Sequence, residues 1–264
     1  MSRPDHLPDY SNPPLNEVVV GVQFAPVPDY TSVDACKIWE LFKAQYPKVR
    51  ELPQLPRNFE TFGGSNKAPS FQMQLGRPAG SRLWFISPDE GHLIQYQPDR
   101  FLLNWRKQSD SQSYPHFEGI ISVFEQSLKT LSNHLSSEFS YEININQAEV
   151  EYLNIIPVAR FADAKSWFAC WDSKLDIESL NMGFNEVIYH DDNTPHARLK
   201  YGVESVFGAE GKEKAFRMSL SFAGKPILND INSAVEFLRK GREAIVTRFD
   251  QITTSEAHDI WRKK

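Results

Sequence analysis

The stretch FEGIISVFEQSLKTLSNHL, residues 117–135, decides the fold class. Its apolar residues recur every three or four positions over about five turns, which is the spacing of an amphipathic helix. They are Phe117, Ile120, Ile121, Phe124, Leu128, Leu131 and Leu135. A helix of this kind buries one face, and the segments before it have the alternation of strands. We therefore predict that it lies on a β-sheet.

Upstream of this helix the pattern is mostly that of short strands. Residues 17–24 place Val18, Val20, Val22 and Phe24 on one face, with the period of two that is typical of a strand. An amphipathic helix is predicted to follow between Thr31 and Pro47. Four short strands are then predicted at 71–75, 83–87, 92–97 and 101–107, separated by turn-forming residues.

The second half of the chain has the same predicted order. A strand at 148–156 precedes a short helix at 163–171, strands at 184–190, 197–207 and 215–223, and a last long helix. We predict an α+β protein of two similar halves, each a strand, a helix, an antiparallel meander and a long helix, resembling a helix-grip arrangement. The halves are residues 17–141 and 142–264, as two units or one continuous domain, after an extended N-terminal arm of residues 1–16.

Composition excludes several classes of protein. The 264 residues are 41% hydrophobic and 24% charged, which excludes a disordered chain. The formal charge of −5 makes nucleic acid an unexpected partner. Residues 1–14 lack the apolar core of a signal peptide, and no apolar run has the length of a membrane span, so we predict a cytoplasmic protein without membrane contact. Cys36 and Cys170 are predicted to be small core residues rather than reactive thiols.

No recognisable catalytic constellation stands out. There is no G-x-S-x-G elbow, and neither glycine cluster, 62–67 or 208–212, has the spacing of a phosphate-binding loop. His190 and His196 flank an Asp- and Asn-rich segment and are weak candidates for a metal site, although a turn is the favoured interpretation. Glu149 and Glu151 share one strand face and could pair as acid and base, although alternating exposed carboxylates are the commoner case. We predict no cofactor and favour a binding protein over an enzyme.

The segment QPDRFLLNWRK, residues 97–107, carries the most informative polar side chains. Asn104 and Arg106 point away from the face that carries Trp105, and Arg100 begins this strand. Arginine offers a rigid bidentate fork, so these residues could bind a carboxylate, a phosphate or a peptide backbone. A solvated sheet face is the alternative. The basic residues of the last helix, Arg239 to Arg248, are interpreted as its solvated side.

Three motifs resemble a sporadically distributed, functionally uncharacterised family of bacterial proteins of about this length. They are the opening NPPLNEV of residues 12–18, the central residues 99–106, and FDQIT at 249–253 followed by Trp261. The resemblance spans nearly the whole chain. It implies no catalytic residues, and it implies a mobile gene of the kind that accompanies bacterial anti-phage defence or toxin–antitoxin cassettes.

Our leading hypothesis is a non-enzymatic binding protein that acts as a recognition, inhibitory or chaperone-like component of such a module. Its partner is then a protein encoded by a neighbouring gene, with a homo-oligomer left open. The predicted binding residues are Arg100, Asn104, Arg106 and Trp261. The alternative is a small-molecule sensor or an enzyme with a pocket for an anionic ligand between sheet and helix.

Overall fold

Nine strands form one continuous antiparallel sheet in the part of the chain that the structure describes. The structure is a computed structural model, and it describes residues 6–63, 81–109, 112, 114–208, 211 and 213–264. The strands are β1 (Leu15–Phe24), β2 (Lys48–Pro53), β3 (Ser81–Ile86), β4 (His92–Gln97), β5 (Arg100–Arg106), β6 (Ile145–Val158), β7 (Asn181–Tyr189), β8 (Pro195–Phe207) and β9 (Lys214–Gly224). Their order across the sheet is β2-β3-β4-β5-β1-β6-β9-β8-β7.

The helices begin and end where local chemistry favours it. They are α1 (Asp34–Phe42), α2 (His116–Phe139), α3 (Ile231–Ile252) and α4 (Ser255–Ile260), with a 3₁₀ helix at Phe161–Ser166. Asp230 caps α3 by accepting a hydrogen bond from the Ser233 amide at 2.8 Å. Thr254 caps α4 in the same way, accepting from the Ala257 amide at 3.2 Å. None of the helices in the described residues combines the length and the hydrophobicity that crossing a bilayer requires.

The long helices lie on the centre of the sheet. α2 contacts β1 and β5, α3 contacts β6 and β9, and the two helices contact each other. Their apolar stripes and the apolar sheet face form one core, in which Val20, Phe124 and Leu128 are fully buried. Helices packed on a large antiparallel sheet confirm the predicted α+β class.

Gly241 sets how closely α3 approaches the sheet. A Cβ atom at this position would lie 2.6 Å from Phe222 Cδ1 and 2.7 Å from Val150 Cγ1. Both distances are shorter than van der Waals contact, so only glycine fits without movement of the helix or the sheet. The next residue, Arg242, is thereby held close to β6.

Several sequence predictions need correction. β2 was not predicted, because its residues are mostly exposed and lack a buried alternating face. The predicted helix at 163–171 is a 3₁₀ helix at Phe161–Ser166. Cys36 and Cys170 are exposed rather than in the core; Cys36 lies on the side of α1 opposite its buried residue Ile38. The predicted strand at 71–75 lies outside the described residues.

Candidate functional site

A cavity of about 800 Å³ lies between the sheet, the two long helices and the chain termini. We call it the arm cavity, because residues 8–13 of the N-terminal arm form one of its walls. The other walls come from β1, β5 and β6 of the sheet, the start of α2, the middle of α3 and Lys264. Small-molecule pockets in proteins have volumes of this order.

The walls of the arm cavity are largely apolar. Trp105, Phe117, Ile245 and Phe249 line it, and all four are buried in the core. The ring of Trp105 contacts that of Tyr114, with their centroids 5.1 Å apart. Aromatic walls of this kind suit a flat apolar group, because rings pack well edge to face or offset.

Among the polar groups of the cavity walls, three lie together on β6 and just before α2. The hydroxyl groups of Tyr114 and Tyr152 are 3.0 Å apart and form a hydrogen bond. Burial raises the pKa of Tyr152, and the hydrogen bond from Tyr114 and the positive charge of Arg242 oppose that rise. Asn154 is buried next to them and donates to the Met218 carbonyl at 3.4 Å. These groups can orient a ligand that enters between the apolar walls.

Arg242 is the charged residue that sequence analysis misplaced. It was interpreted as part of the solvated side of α3, but only 9% of it is exposed and it lines the arm cavity. A signal for this was available, because Leu238, Arg242, Ile245 and Phe249 follow the helical spacing of the buried stripe. Arg248, in contrast, forms an ion pair with Glu186 outside the cavity.

The two chain ends hold each other beside the cavity. The Ser11 amide donates to the Arg262 carbonyl and the Asn12 amide to the Trp261 carbonyl, each at 3.0 Å. The Tyr10 hydroxyl also donates to Asp250 Oδ1 at 2.6 Å. Burial and this carboxylate raise the pKa of Tyr10. The arm is therefore fixed against α3 by both backbone and side-chain contacts.

Trp261, one of the predicted binding residues, packs behind the aromatic side chains that line the arm cavity. It is buried and packs against Tyr10, Phe249 and Trp167, with ring centroids 6.2, 5.1 and 5.9 Å away. Phe249 and Tyr10 line the arm cavity and Trp261 does not. Trp261 therefore supports the cavity wall by packing against Tyr10 and Phe249.

The structure does not bring Arg100, Asn104 and Arg106 to the arm cavity. Side chains alternate along β5, and Trp105 lies on the helix side, so these three residues lie on the opposite face of the sheet. The expectation that they contact a ligand between sheet and helix is therefore wrong, although a binding role on their own face stays a prediction.

On that face Arg100 and its neighbours bind the backbone of the chain itself. We call residues 55–61 the strap, because this segment crosses from β4 to β8 over the sheet. Arg100 Nη2 donates to the Pro56 carbonyl at 3.1 Å, and the Gln147 amide group donates to the Asn58 carbonyl at 2.8 Å. Gln97 makes two hydrogen bonds with the backbone of Leu55. Arg100 Nη2 also donates to Gln23 Oε1 at 2.7 Å, so this guanidinium contacts both a side chain and a peptide backbone.

Asn104 and Arg106 belong to a network farther along the same face. Asn104 Nδ2 donates to Glu17 Oε1 at 2.6 Å, and its Oδ1 accepts from Gln95 at 2.8 Å. Arg106 lies over the ring of Trp84, 5.7 Å from its centroid, and donates to the Glu90 carbonyl at 3.4 Å. The amide group of Asn104 is therefore already engaged.

His190 and His196 meet at the predicted turn between β7 and β8. The His190 amide donates to the Thr194 carbonyl at 2.9 Å, which closes the turn. The two rings are 4.0 Å apart between centroids, and burial together with His190 lowers the pKa of His196 to about 4. Within the described residues, no group of three or more His, Cys, Asp or Glu side chains is placed to hold a metal ion.

Glu149 and Glu151 share a face of β6, as predicted, but they are half-buried rather than exposed. Burial raises the pKa of both groups, and the neighbouring charges of Glu149 and Glu17 contribute to a value of about 7 for Glu151. Sequence alone does not show this, because the burial depends on which strands flank β6.

The comparisons with known proteins add no relative. The chain matches no protein-family model. It also has no significant match among curated proteins. The resemblance described from its motifs therefore stays a prediction.

Proposed function

We propose that this protein is a non-enzymatic binding protein and that it takes a small organic molecule into the arm cavity. The observation that carries the proposal is the cavity itself, which combines about 800 Å³ of space with aromatic walls and a few buried polar groups. This composition is typical of ligand sites, where apolar contacts supply affinity and isolated polar groups supply orientation.

The state of the polar groups supports binding in preference to catalysis. Tyr114 and Tyr152 bond to each other, and the carboxylates of Asp9 and Glu118 are paired with Lys264 and Arg239. Groups that are already hydrogen-bonded or ion-paired fix the shape and polarity of a cavity. The small-molecule sensor, our alternative from sequence, is the form of binding protein that this site favours.

The proposed architecture for this function is a pair of similar helix-grip-like halves. β1 is followed by α1, the strands β2 to β5 and α2, and β6 is followed by the 3₁₀ helix, the strands β7 to β9 and α3. In each case the last strand pairs with the first, β5 with β1 and β9 with β6. This order supports the proposed division at residues 141–142.

We also propose the cellular setting that the motifs imply. In it the protein is a cytoplasmic recognition, inhibitory or chaperone-like component of a bacterial anti-phage defence or toxin–antitoxin module, with a protein partner encoded by a neighbouring gene. The support is the resemblance in residues 12–18, 99–106 and 249–253. The protein would then signal to that partner that a small molecule occupies the arm cavity.

Native mass spectrometry tests both parts of the proposal. The full chain is co-expressed with the genes adjacent to its own, purified at near-physiological salt, and compared with Val246→Trp, which places a large ring in the cavity from α3. We expect a bound small molecule on the wild type that is absent from the variant, and a stoichiometric complex with a neighbouring gene product in both.

Two results would contradict the proposal separately. A wild-type protein that retains no small molecule, and whose melting temperature no member of a chemically diverse small-molecule library raises, contradicts the cavity function. No complex with any neighbouring gene product at micromolar concentration contradicts the proposed module.

A further inference from the structure

The arm cavity contains a buried cation without a carboxylate partner. Arg242 is 9% exposed, and its Nε atom is buried and makes no hydrogen bond. Its guanidinium lies over the ring of Phe117, 5.9 Å from the centroid. No carboxylate of the described residues lies within 4.0 Å of its nitrogen atoms.

A buried arginine in this situation is unusual. Removing a charge from water is costly, and proteins ordinarily offset the cost with an ion pair and with hydrogen bonds to the remaining donors. The ring of Phe117 and the hydroxyl of Tyr152 offset only part of it. The guanidinium therefore has donors available at the wall of the arm cavity.

The carboxylates that could have paired with Arg242 are engaged elsewhere. Glu118 also lines the cavity, but it forms an ion pair with Arg239, one turn before Arg242 on α3. Asp9 pairs with Lys264, 2.8 Å away. Arg242, in contrast, is a cavity-lining cation whose charge no carboxylate of the described residues offsets within ion-pair distance.

We infer that the arm cavity binds an organic monocarboxylate, with its carboxylate on Arg242 and its apolar body against Trp105, Phe117 and Phe249. This inference rests on the proposed function and specifies its ligand class. The planar guanidinium matches a carboxylate with two parallel hydrogen bonds. The aromatic walls favour a ligand that carries a ring.

The charge balance favours a carboxylate over a phosphate monoester. A carboxylate carries one negative charge at neutral pH, equal in size to the single positive charge of Arg242, whereas a phosphate monoester carries nearly two. The carboxylates of Asp9 and Glu118 in the same walls would oppose the second charge.

Matched pairs of small molecules test the inference by isothermal titration calorimetry on the full chain. The probes are phenylacetate, 4-phenylbutanoate and naphthalene-1-acetate, each with its primary amide, and 1-naphthyl phosphate. We expect at least one acid to bind about tenfold or more tighter than its amide, because an ionised group strengthens the hydrogen bonds to Arg242. The wild-type comparison needs no variant and is independent of folding defects.

Variants then assign the preference to Arg242. In Arg242→Met the difference between acid and amide disappears. In Arg248→Met, a matched change on the same helix that removes the ion pair with Glu186 outside the cavity, the difference remains. Circular dichroism confirms that each variant is folded before it is titrated.

The outcomes separate this inference from the proposed function. Amides that bind as tightly as acids, or a naphthyl phosphate that binds tighter than naphthalene-1-acetate, overturn the carboxylate and leave the cavity function standing. An acid preference that persists in Arg242→Met overturns the role of Arg242. Failure of all seven probes also overturns the inference, and the small-molecule search by native mass spectrometry decides the cavity function independently.

Discussion

Replacing Gly241 by alanine tests the close approach of α3 to the sheet. The added Cβ would lie 2.6 Å from Phe222 Cδ1 and 2.7 Å from Val150 Cγ1. Both neighbours are buried core residues, so neither can move aside without disturbing its own packing. The helix must shift outward, and the wall of the arm cavity that carries Arg242 shifts with it.

The size of the effect follows from two opposing contributions. Inserting a methyl group into a filled core costs about 1–3 kcal/mol. Alanine is the better helix former and returns about 1 kcal/mol in a helix interior. We therefore expect Gly241→Ala to lower the free energy of unfolding by about 0–2 kcal/mol.

A second glycine provides a matched control. Gly119 lies on the exposed side of α2, and a Cβ there meets its nearest neighbour, Pro115 Cβ, at an ordinary 3.7 Å. Gly119→Ala therefore gains the higher helix propensity of alanine without a clash, and we expect it to raise the free energy of unfolding. The difference between the two variants isolates the packing cost, about 1–3 kcal/mol.

Urea unfolding followed by circular dichroism measures this difference, with the slope of the transition compared to confirm that the unfolded states match. If the two alanine variants change the free energy of unfolding equally, the packing argument at Gly241 is refuted. Gly241→Ala is then titrated with the acid probe that binds the wild type most tightly. An affinity weaker than that of the wild type indicates that the cavity wall has moved.

Three further predictions concern hydrogen bonding and protonation. Tyr10→Phe removes the hydrogen bond to Asp250 and should cost about 1–2 kcal/mol in urea unfolding, with faster amide exchange in the arm; unchanged exchange would contradict the docking role of this bond. The pKa of His196, lowered to about 4, lies below its ordinary value of 6.5, so the unfolded chain takes up this proton first. Stability should therefore decline as the pH falls from about 6.5 to 4, and His196→Phe should flatten that decline in thermal melts. The pKa of Glu151, raised from 4.5 to about 7, predicts the opposite slope, with stability declining as the pH rises through that range. Glu151→Gln should remove this slope and raise the melting temperature at pH 8, and an equally steep slope in the variant would disprove the assignment.

Much of the secondary structure is predictable because one buried face imposes a period on the sequence. The stripe from Phe117 to Leu135 corresponds to α2, and the alternation around Val20 corresponds to β1. β2 was missed for the same reason, since an exposed edge strand has no buried face to impose a pattern.

The candidate site was less predictable than the fold. Arg100 was predicted to bind a ligand or a partner, which stays a prediction; in the structure one of its hydrogen-bond partners, the Pro56 carbonyl, lies 44 residues earlier in the chain. Arg242 follows the apolar spacing of α3, but its charge favoured a solvated position. Neither pairing can be derived from local pattern, because both depend on segments that meet only in the folded chain.

The sequence by itself determined the α+β fold class, the long helices and most of the strands, since these follow from hydrophobic periodicity within a few turns. Only the tertiary structure decided that β1 pairs with β6 to make one sheet, that the arm docks on α3, and that Arg242 lines a cavity. The physical reason is distance along the chain. Local pattern reports which face of an element is buried, whereas strand pairing and the packing of remote segments determine what that face is buried against.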